Sequence, residues 1–486
     1  MADFNIRALN GEDRALSREV LDGFLSGIRG VAVTETSPEY DASRQIWNAM
    51  IEKRPALIIR AAGQADILRT INFAREHELL LAVRGGGHNI AGKALCDGGV
   101  VLDLSALRGV HVDPQARTVR VEPGATLGDM DHETQAFGLA TPLGINSTTG
   151  VAGLTLGGGF GWLTRKFGMT VDNLVSAEVV TSDGDLRKAS ETSEPDLFWA
   201  IRGGGGNFGV VTSFEFRLHP VGPEVLSGLI FYPLAEAPQI LRRYRDFVAE
   251  MPEELSVWAV LRKAPPLPFL PESAHGTEVL ALALMYAGDP ETGWRAVEPL
   301  EELGTPIGKH VGVQPYTAFQ AAFDPLLTPG ARNYWKSQDL ATLNDAVLET
   351  VVDYAWHLPS DECEIFIASL GGAMARVPSD ATAYAGRDAN FVMNVHTRWR
   401  DAAADGQCRQ WARAFSEAVA PNATGGVYVN FLSQDEADRV HAAYGGNYER
   451  LAGIKVRYDP ANLFRNNQNI APAGSGQGRE PESVEG

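Results

Sequence analysis

Cysteine is scarce: the 486 residues hold three, Cys96, Cys363 and Cys408, far apart in the chain. No CxxC pair and no zinc-ligand spacing exists, which excludes a disulfide framework and a structural zinc site. The expectation is inert thiols in a reducing, cytoplasmic compartment. Positive charge is short as well, with 42 Lys and Arg against 61 Asp and Glu, a formal net charge of −19. Such a surface repels phosphate backbones and anionic lipid, so neither nucleic acid nor membrane is an expected partner. Long apolar runs are missing. The longest, around residues 279–287, falls far below the ~20 residues a spanning helix needs. The first twenty residues are of mixed charge without an apolar stretch, so no secretion signal is expected. The chain also lacks a GxxxxGK[ST] loop, a GxSxG elbow and an HExxH pair.

Glycine is what the chain has in quantity: 51 residues, beside 27 prolines. With 44% hydrophobic and 21% charged residues the composition is that of a globular protein with a large core. At roughly 150 residues per domain the length predicts two or three domains or one two-lobed unit.

Periodicity predicts amphipathic helices over residues 15–28 and 41–52. A β-α-β unit follows: a strand at 56–60, a helix at 64–76 and a strand at 79–83. Residues 100–104 form a strand, 110–113 and 118–121 a hairpin, 128–137 a helix, and 175–181 and 210–219 further strands. From residue 222 to about 431 strands (225–232, 255–261, 277–286, 364–370, 391–395) alternate with helices (238–251, 293–303, 344–358, 408–420). This is an α+β arrangement with a mostly antiparallel sheet, expected as a second lobe. Residues 434–464 return to helix, and the Gly/Ser/Glu/Pro-rich tail, 473–486, is expected to be disordered.

Three glycine clusters could carry chemistry. Arg84-Gly85-Gly86-Gly87-His88-Asn89 follows a strand, so backbone can approach a flat or phosphorylated ligand with an imidazole beside it. Alone, this motif also fits a tight loop with a hydrogen-bonded histidine. Residues 153–161, GLTLGGGFG, are too rich in glycine for a regular element and fit a pyrophosphate cradle. A flexible linker is the alternative, but Leu154, Leu156, Phe160 and Trp162 look packed. Residues 202–212, RGGGGNFGVVT, contain GxGxxG-like matches, yet a strand rather than a helix follows, so a Rossmann site is a poor fit. Three such clusters within about 130 residues predict one extended dinucleotide lying across all of them.

These motifs, with VRGGGHN (83–89), VEPGATLGD (121–129), GVAGLTLGGGFGWLTRKFGMTVDNL (150–174), DLFWAIRGGGGNFGVVTSFEFRLHP (196–220) and NYERLAGIKVRYDPANLFRNNQNIAP (447–472), resemble the FAD-linked oxidases of the vanillyl-alcohol oxidase superfamily. The similar branch is that of the berberine bridge enzymes, bacterial hydroxynicotine oxidases and oligosaccharide oxidases, over roughly residues 40–472. The resemblance implies a two-lobed PCMH-type fold, with a FAD lobe from 1–221 plus 434–472 and a substrate lobe from 222–433. It implies FAD held by a single covalent bond through His88. It places the cofactor against Arg84, Gly85, Gly86, Gly87 and Asn89, against Gly124, Ala125, Thr126 and Leu127, and against Thr149, Gly150, Gly153, Gly157, Gly158, Gly159 and Gly161. It adds Gly209, Val210 and Val211 at the adenine end, and Asn447 and Tyr448 near the C-terminus. Asn146 stands where many plant members carry a second, cysteine attachment, and Thr149 lines the space where O2 reacts.

On the substrate side the likeness thins. Phe160 and Phe431 replace family tyrosines, and Asn394 takes the place of an acid or amide. His396 lies two residues on, on the same strand face as Asn394, and is a candidate base with Tyr428 as the other. The implied activity is removal of hydride from a CH–OH or CH–NH carbon of a small molecule, with O2 as the expected acceptor. A carbohydrate oxidase and a flavin-bearing binding protein without turnover are the alternatives.

Overall fold

The computed structural model describes residues 4–475, and it is an α+β fold built on three main sheets. The first begins with the expected β-α-β unit. Strands Leu57–Arg60 and Leu81–Arg84 both pair in parallel with Val100–Asp103, and Val31–Thr34 adds an antiparallel edge. Helix Gln64–Glu76 crosses over them, burying Ile67, Ile71 and Ala74 completely against Leu57, Ile59 and Leu102. All three apolar positions fall on one helical stripe, which is why this stretch folds as its pattern demands.

The second sheet is antiparallel, in the order Leu186–Ser190, Leu174–Val180, Val210–Arg217, Thr118–Val121, Val110–Asp113. The third has seven antiparallel strands. Their order is Gly308–Pro315, Glu224–Pro233, Glu278–Tyr286, Leu255–Lys263, Glu364–Ser369, Phe391–Trp399, Arg332–Leu340. Helices Ala237–Glu250, Asp345–Ala355 and Asp405–Val419 cover one face of this sheet in the largest core cluster. Its other face carries Trp258, Phe366 and Val392, and packs toward the glycine-rich segments around Phe160 and Trp162.

Several expectations need correction. The helix expected over 15–28 is shorter, Arg18–Leu25, and follows an unforeseen hairpin, Phe4–Arg7 with Asp13–Leu16. Over 41–52 only the turn Tyr40–Ser43 is helical. Beyond it Asn48 is bound on both sides: its Nδ2 donates to the carbonyls of Ile90 and Asn333, and its Oδ1 accepts from the Asn333 and Met50 amides. A helix would have turned that side chain away. The segment 434–464 is not one helix but Val440–Tyr444 and Tyr448–Tyr458, divided at Gly445, whose φ is +47°. Strands Gly308–Pro315 and Arg332–Leu340 were not expected, because Lys, His, Gln, Arg and Asn dilute their alternation. The glycine-rich stretch at 153–161 opens inside a helix, Val151–Leu156, rather than a loop. Of the tail expected to be disordered, residues 476–486 lie outside the described residues.

The C-terminal helix locks onto the third glycine cluster through a wholly buried ion pair. Lys455 Nζ reaches Asp459 Oδ2 at 2.7 Å and the Asn207 carbonyl at 2.6 Å, while the Leu463 and Phe464 amides donate to the same carboxylate. Removing one member leaves an uncompensated buried charge. Asp459→Ala is therefore expected to cost about 3–5 kcal/mol, read as a fall in the denaturant midpoint.

Candidate active site

The three glycine clusters converge on one elongated cavity. Residues 85–89 leave the C-terminal end of strand Leu81–Arg84 and meet Gly150, the N-cap of helix Val151–Leu156. A Cβ on Gly150 would stand 2.5 Å from the Gly86 nitrogen, and one on Gly86 would collide with the Gly150 backbone in turn. Neither position accepts a side chain, so bare backbone forms the wall. Gly205, Gly206, Gly209, Val210, Val211, Asn467 and Gln468 line the same cavity. A cavity walled by glycine backbone from three segments, with a histidine in its lining, fits a dinucleotide cofactor.

Of the residues expected at the cofactor, Gly85, Gly86, Gly87, His88 and Asn89 line this cavity, as do Thr149, Gly150, Gly153, Gly209, Val210 and Val211. Others stand behind it. The Arg84 guanidinium turns to the Ser43 carbonyl at 2.7 Å. Gly124 to Leu127 form the layer beneath: the Leu127 amide donates to the Thr149 carbonyl, the Val151 amide to the Ala125 carbonyl, and Thr126 caps helix Leu127–Gln135. These contacts position the Thr149–Gly150 turn. Gly157, Gly158, Gly159 and Gly161 do not line the cavity either. Gly158 and Gly159 have φ of +121° and +75°, and a Cβ on Gly157 or Gly161 would strike Asn430 or the Leu143 carbonyl. Asn447 donates to the Ser379 and Thr382 carbonyls, and Tyr448 begins the helix Tyr448–Tyr458; neither lines the cavity.

His88 stacks on Trp47 with ring centroids 5.2 Å apart. The Thr148 hydroxyl gives its hydrogen to Asn146 Oδ1 at 2.6 Å, so its oxygen accepts from His88 Nε2 at 3.0 Å. Nδ1 then holds the lone pair, which accepts from the Thr149 hydroxyl at 3.5 Å. Enclosure pulls the imidazole pKa down to about 4, so the ring is neutral at neutral pH.

The opposite wall is the open face of the seven-stranded sheet. In an antiparallel sheet, directly paired residues share a face. The register pairs Arg262 with Glu364, Glu364 with His396, and His396 with Trp335, so the four side chains form one row across four strands. Arg262 Nη1 donates to Glu364 Oε2 at 2.7 Å, and His396 Nδ1 lies 3.1 Å from Glu364 Oε1. Burial alone would raise the Glu364 carboxyl, but Arg262 and His396 outweigh it and hold it at about 2. A carboxylate only accepts, so Nδ1 carries the hydrogen, and Nε2 is left buried with no partner among the described residues. Burial pulls His396 below its ordinary 6.5 against the opposing pull of Glu364. Trp335 stands edge-on to His396 at 4.4 Å, and Trp47 touches both His396 and His88, so one indole separates the two histidines.

The remaining candidates behave differently from His396. Asn394 is on the same strand face, wholly buried, but does not line the cavity, and neither of its amide atoms has a partner among the described residues. The Tyr428 oxygen accepts from the Gly159 amide and from Asn430 Nδ2, each at 2.9 Å. Burial pushes its pKa up to about 12. Phe160, Trp258, Phe366 and Phe431 complete aromatic walls with Trp47 and Trp335. Glu364, Arg262, Trp47 and Trp335 escaped sequence reasoning. Only the charged Glu364 at a strand start gave any signal, and its partners depend on a register that patterning does not fix.

Comparison with known proteins places this geometry. Residues 55–190 match the model of a FAD binding domain, and 427–471 that described as berberine and berberine like. A FAD-linked oxidoreductase of Dictyostelium discoideum is 32% identical over 459 residues, covering 93% of this chain and 97% of that protein. The crystal structure of 6-hydroxy-D-nicotine oxidase from Arthrobacter nicotinovorans superposes with a TM-score of 0.82 at 28% identity, covering 92% of this chain and 98% of that one. Xylooligosaccharide oxidase from Myceliophthora thermophila, in complex with xylobiose, gives 0.81 at 27%, covering 93% and 99%.

Tyr428→Phe removes the oxygen on which the buried Gly159 amide and the half-buried Asn430 side chain converge. It is expected to cost about 1–3 kcal/mol, visible as a lower thermal midpoint.

Proposed function

The chain belongs to the FAD-linked oxidoreductases of the berberine bridge enzyme and hydroxynicotine oxidase branch and is a FAD-dependent oxidase; from that premise we propose that its substrate is a small, largely apolar molecule oxidised at a CH–OH or CH–NH carbon. The observation that carries this reading is His396, whose unpartnered Nε2 lies in an aromatic cavity one indole away from His88. When bound, FAD supplies the hydride acceptor and the route of two electrons to O2.

The rest belongs to the chain's own residues. His88 is the proposed point of covalent attachment, its neutral ring holding a lone pair at Nδ1. Attachment is single, because Asn146, at the position of the second link in other members, has no thiol and is occupied with Thr148. His396 takes the substrate proton at Nε2, and Glu364 holds the ring in the tautomer that can do so. Tyr428 clamps the Gly159 backbone rather than acting as base, and Asn394 stays beneath the cavity surface. Thr149 is small enough to leave O2 room beside the glycine turn. Phe160 and Phe431 remove hydroxyls that a long sugar would use, which sets the carbohydrate-oxidase reading second. In this proposal residues 1–221 with 434–472 hold the cofactor and 222–433 the substrate. A cytoplasmic location accords with three cysteines that are all free and buried.

The test is an anaerobic screen of alcohols, amines, sugars and phenols for bleaching of the flavin colour; no bleaching by any class would end the oxidase reading. Denatured wild-type protein is expected to retain one flavin, and His88→Ala to release it into the supernatant on precipitation. Reduced enzyme is expected to reoxidise quickly in air, and Thr149→Leu to slow that step strongly, followed by the return of flavin absorbance.

A further inference from the structure

The row Arg262–Glu364–His396 narrows the substrate further, on the premise of the oxidase reading above. Glu364 is the one carboxylate among the described residues that line the cavity, and both of its oxygens are engaged. An ammonium group entering here meets no unpaired anion. Cation–π contact is the other way to hold a cation, and the ring between the two histidines, Trp47, already carries the Arg398 guanidinium 5.2 Å from its centroid. Arg398 in turn pairs with Glu362 at 2.8 Å. Arg262, Arg398 and Arg400, the last also paired with Glu362, thus offset the two glutamates around a neutral imidazole, and on this wall the lining acceptor without a partner among the described residues is Nε2.

We propose that the substrate is a neutral alcohol on a compact, ring-sized apolar body, and that Glu364, backed by Arg262, is the positioning residue that makes His396 its base. An amine can lose hydride with the help of its own nitrogen lone pair; an alcohol must also lose its hydroxyl proton, which is the step a fixed imidazole serves. The O–H proton passes to Nε2 and the carbon–oxygen single bond becomes a carbonyl, while the C–H hydrogen with its two electrons would be accepted by FAD when it is bound. The two electrons and two protons end on O2 as hydrogen peroxide, which balances the reaction. The logic is that of a carboxylate that orients a catalytic histidine without taking its proton.

The charged and titratable groups around His396 are Glu364 and Arg262 from neighbouring strands, Arg398 on its own strand with Glu362 behind it, His88 beyond Trp47, and Tyr428 on the cavity wall. Glu364 is the group that raises the His396 pKa; Arg262 and Arg398 lower it. Loss of its anion in Glu364→Gln therefore moves the histidine titration to lower pH, and with it the acidic limb of the rate profile, because the base acts only when unprotonated.

The experiment uses the holoenzyme and matched pairs such as 1-phenylethanol and 1-phenylethylamine, following anaerobic flavin bleaching against pH. Alcohol members are expected to react and amine members to lag. Glu364→Gln should slow alcohol oxidation by roughly a hundredfold, with the limb displaced to lower pH, and Glu364→Asp should restore part of the rate. Imidazole nitrogen NMR of resting protein should find the His396 hydrogen on Nδ1 in wild type and a mixture of tautomers in Glu364→Gln. Faster reaction with the amines, a limb that stays in place, or a wild-type hydrogen on Nε2 would overturn the proposal. Bleaching by neither member of any pair would instead defeat the oxidase reading on which it rests.

Discussion

Backbone meeting backbone at Gly86 and Gly150 is the contact on which the site is built. A single Cβ at either residue would force the two segments apart. Because they touch, the end of a parallel strand and the start of a helix meet at one place, and the side chains just beyond the contact are brought together. His88 follows on one segment, Thr148 and Thr149 precede on the other, and their hydrogen bonds decide which imidazole nitrogen keeps its lone pair. Glycine here contributes close approach that no side-chain-bearing residue permits.

The opposite wall obtains its order by a different physical route. There the register of antiparallel strands does the placing. Arg262, Glu364, His396 and Trp335 are separated by up to 134 positions in the sequence, yet strand pairing sets them side by side. Ionic and hydrogen-bonding groups then fix one another along the row, and burial removes the competing water. One wall is precise because it lacks side chains, the other because paired strands leave theirs few places to go.

Much of this was legible in the sequence, for reasons that can be assigned. The β-α-β unit was readable because Ile67, Ile71 and Ala74 share one helical stripe. The glycine clusters announced a backbone-lined trough because glycine at that density is unfavourable in regular structure. Layers behind the surface were not separable from the surface itself: Ala125 and Leu127 read like cavity residues but support the turn above them. Residues 41–52 had helical spacing, but Trp47 and Asn48 each take a partner from 280 or more positions away, and tertiary bonds overrode the local pattern. Glu364 was invisible as a partner of His396 because a shift of one residue in register would have sent it to the other face.

Asn48 has a consequence for precision. Its one amide group joins the Ile90 carbonyl, just past the histidine loop, to the backbone of Asn333, at the head of the strand that bears Trp335. Two sheets with separate cores are thereby pinned at a common rivet. Thermal drift of either one drags the other along, so the gap between His88 and His396 is held as a dimension of the framework. Loops at the periphery of the larger sheet can then change in length and composition from one descendant of this fold to the next without altering the distance across which reaction takes place.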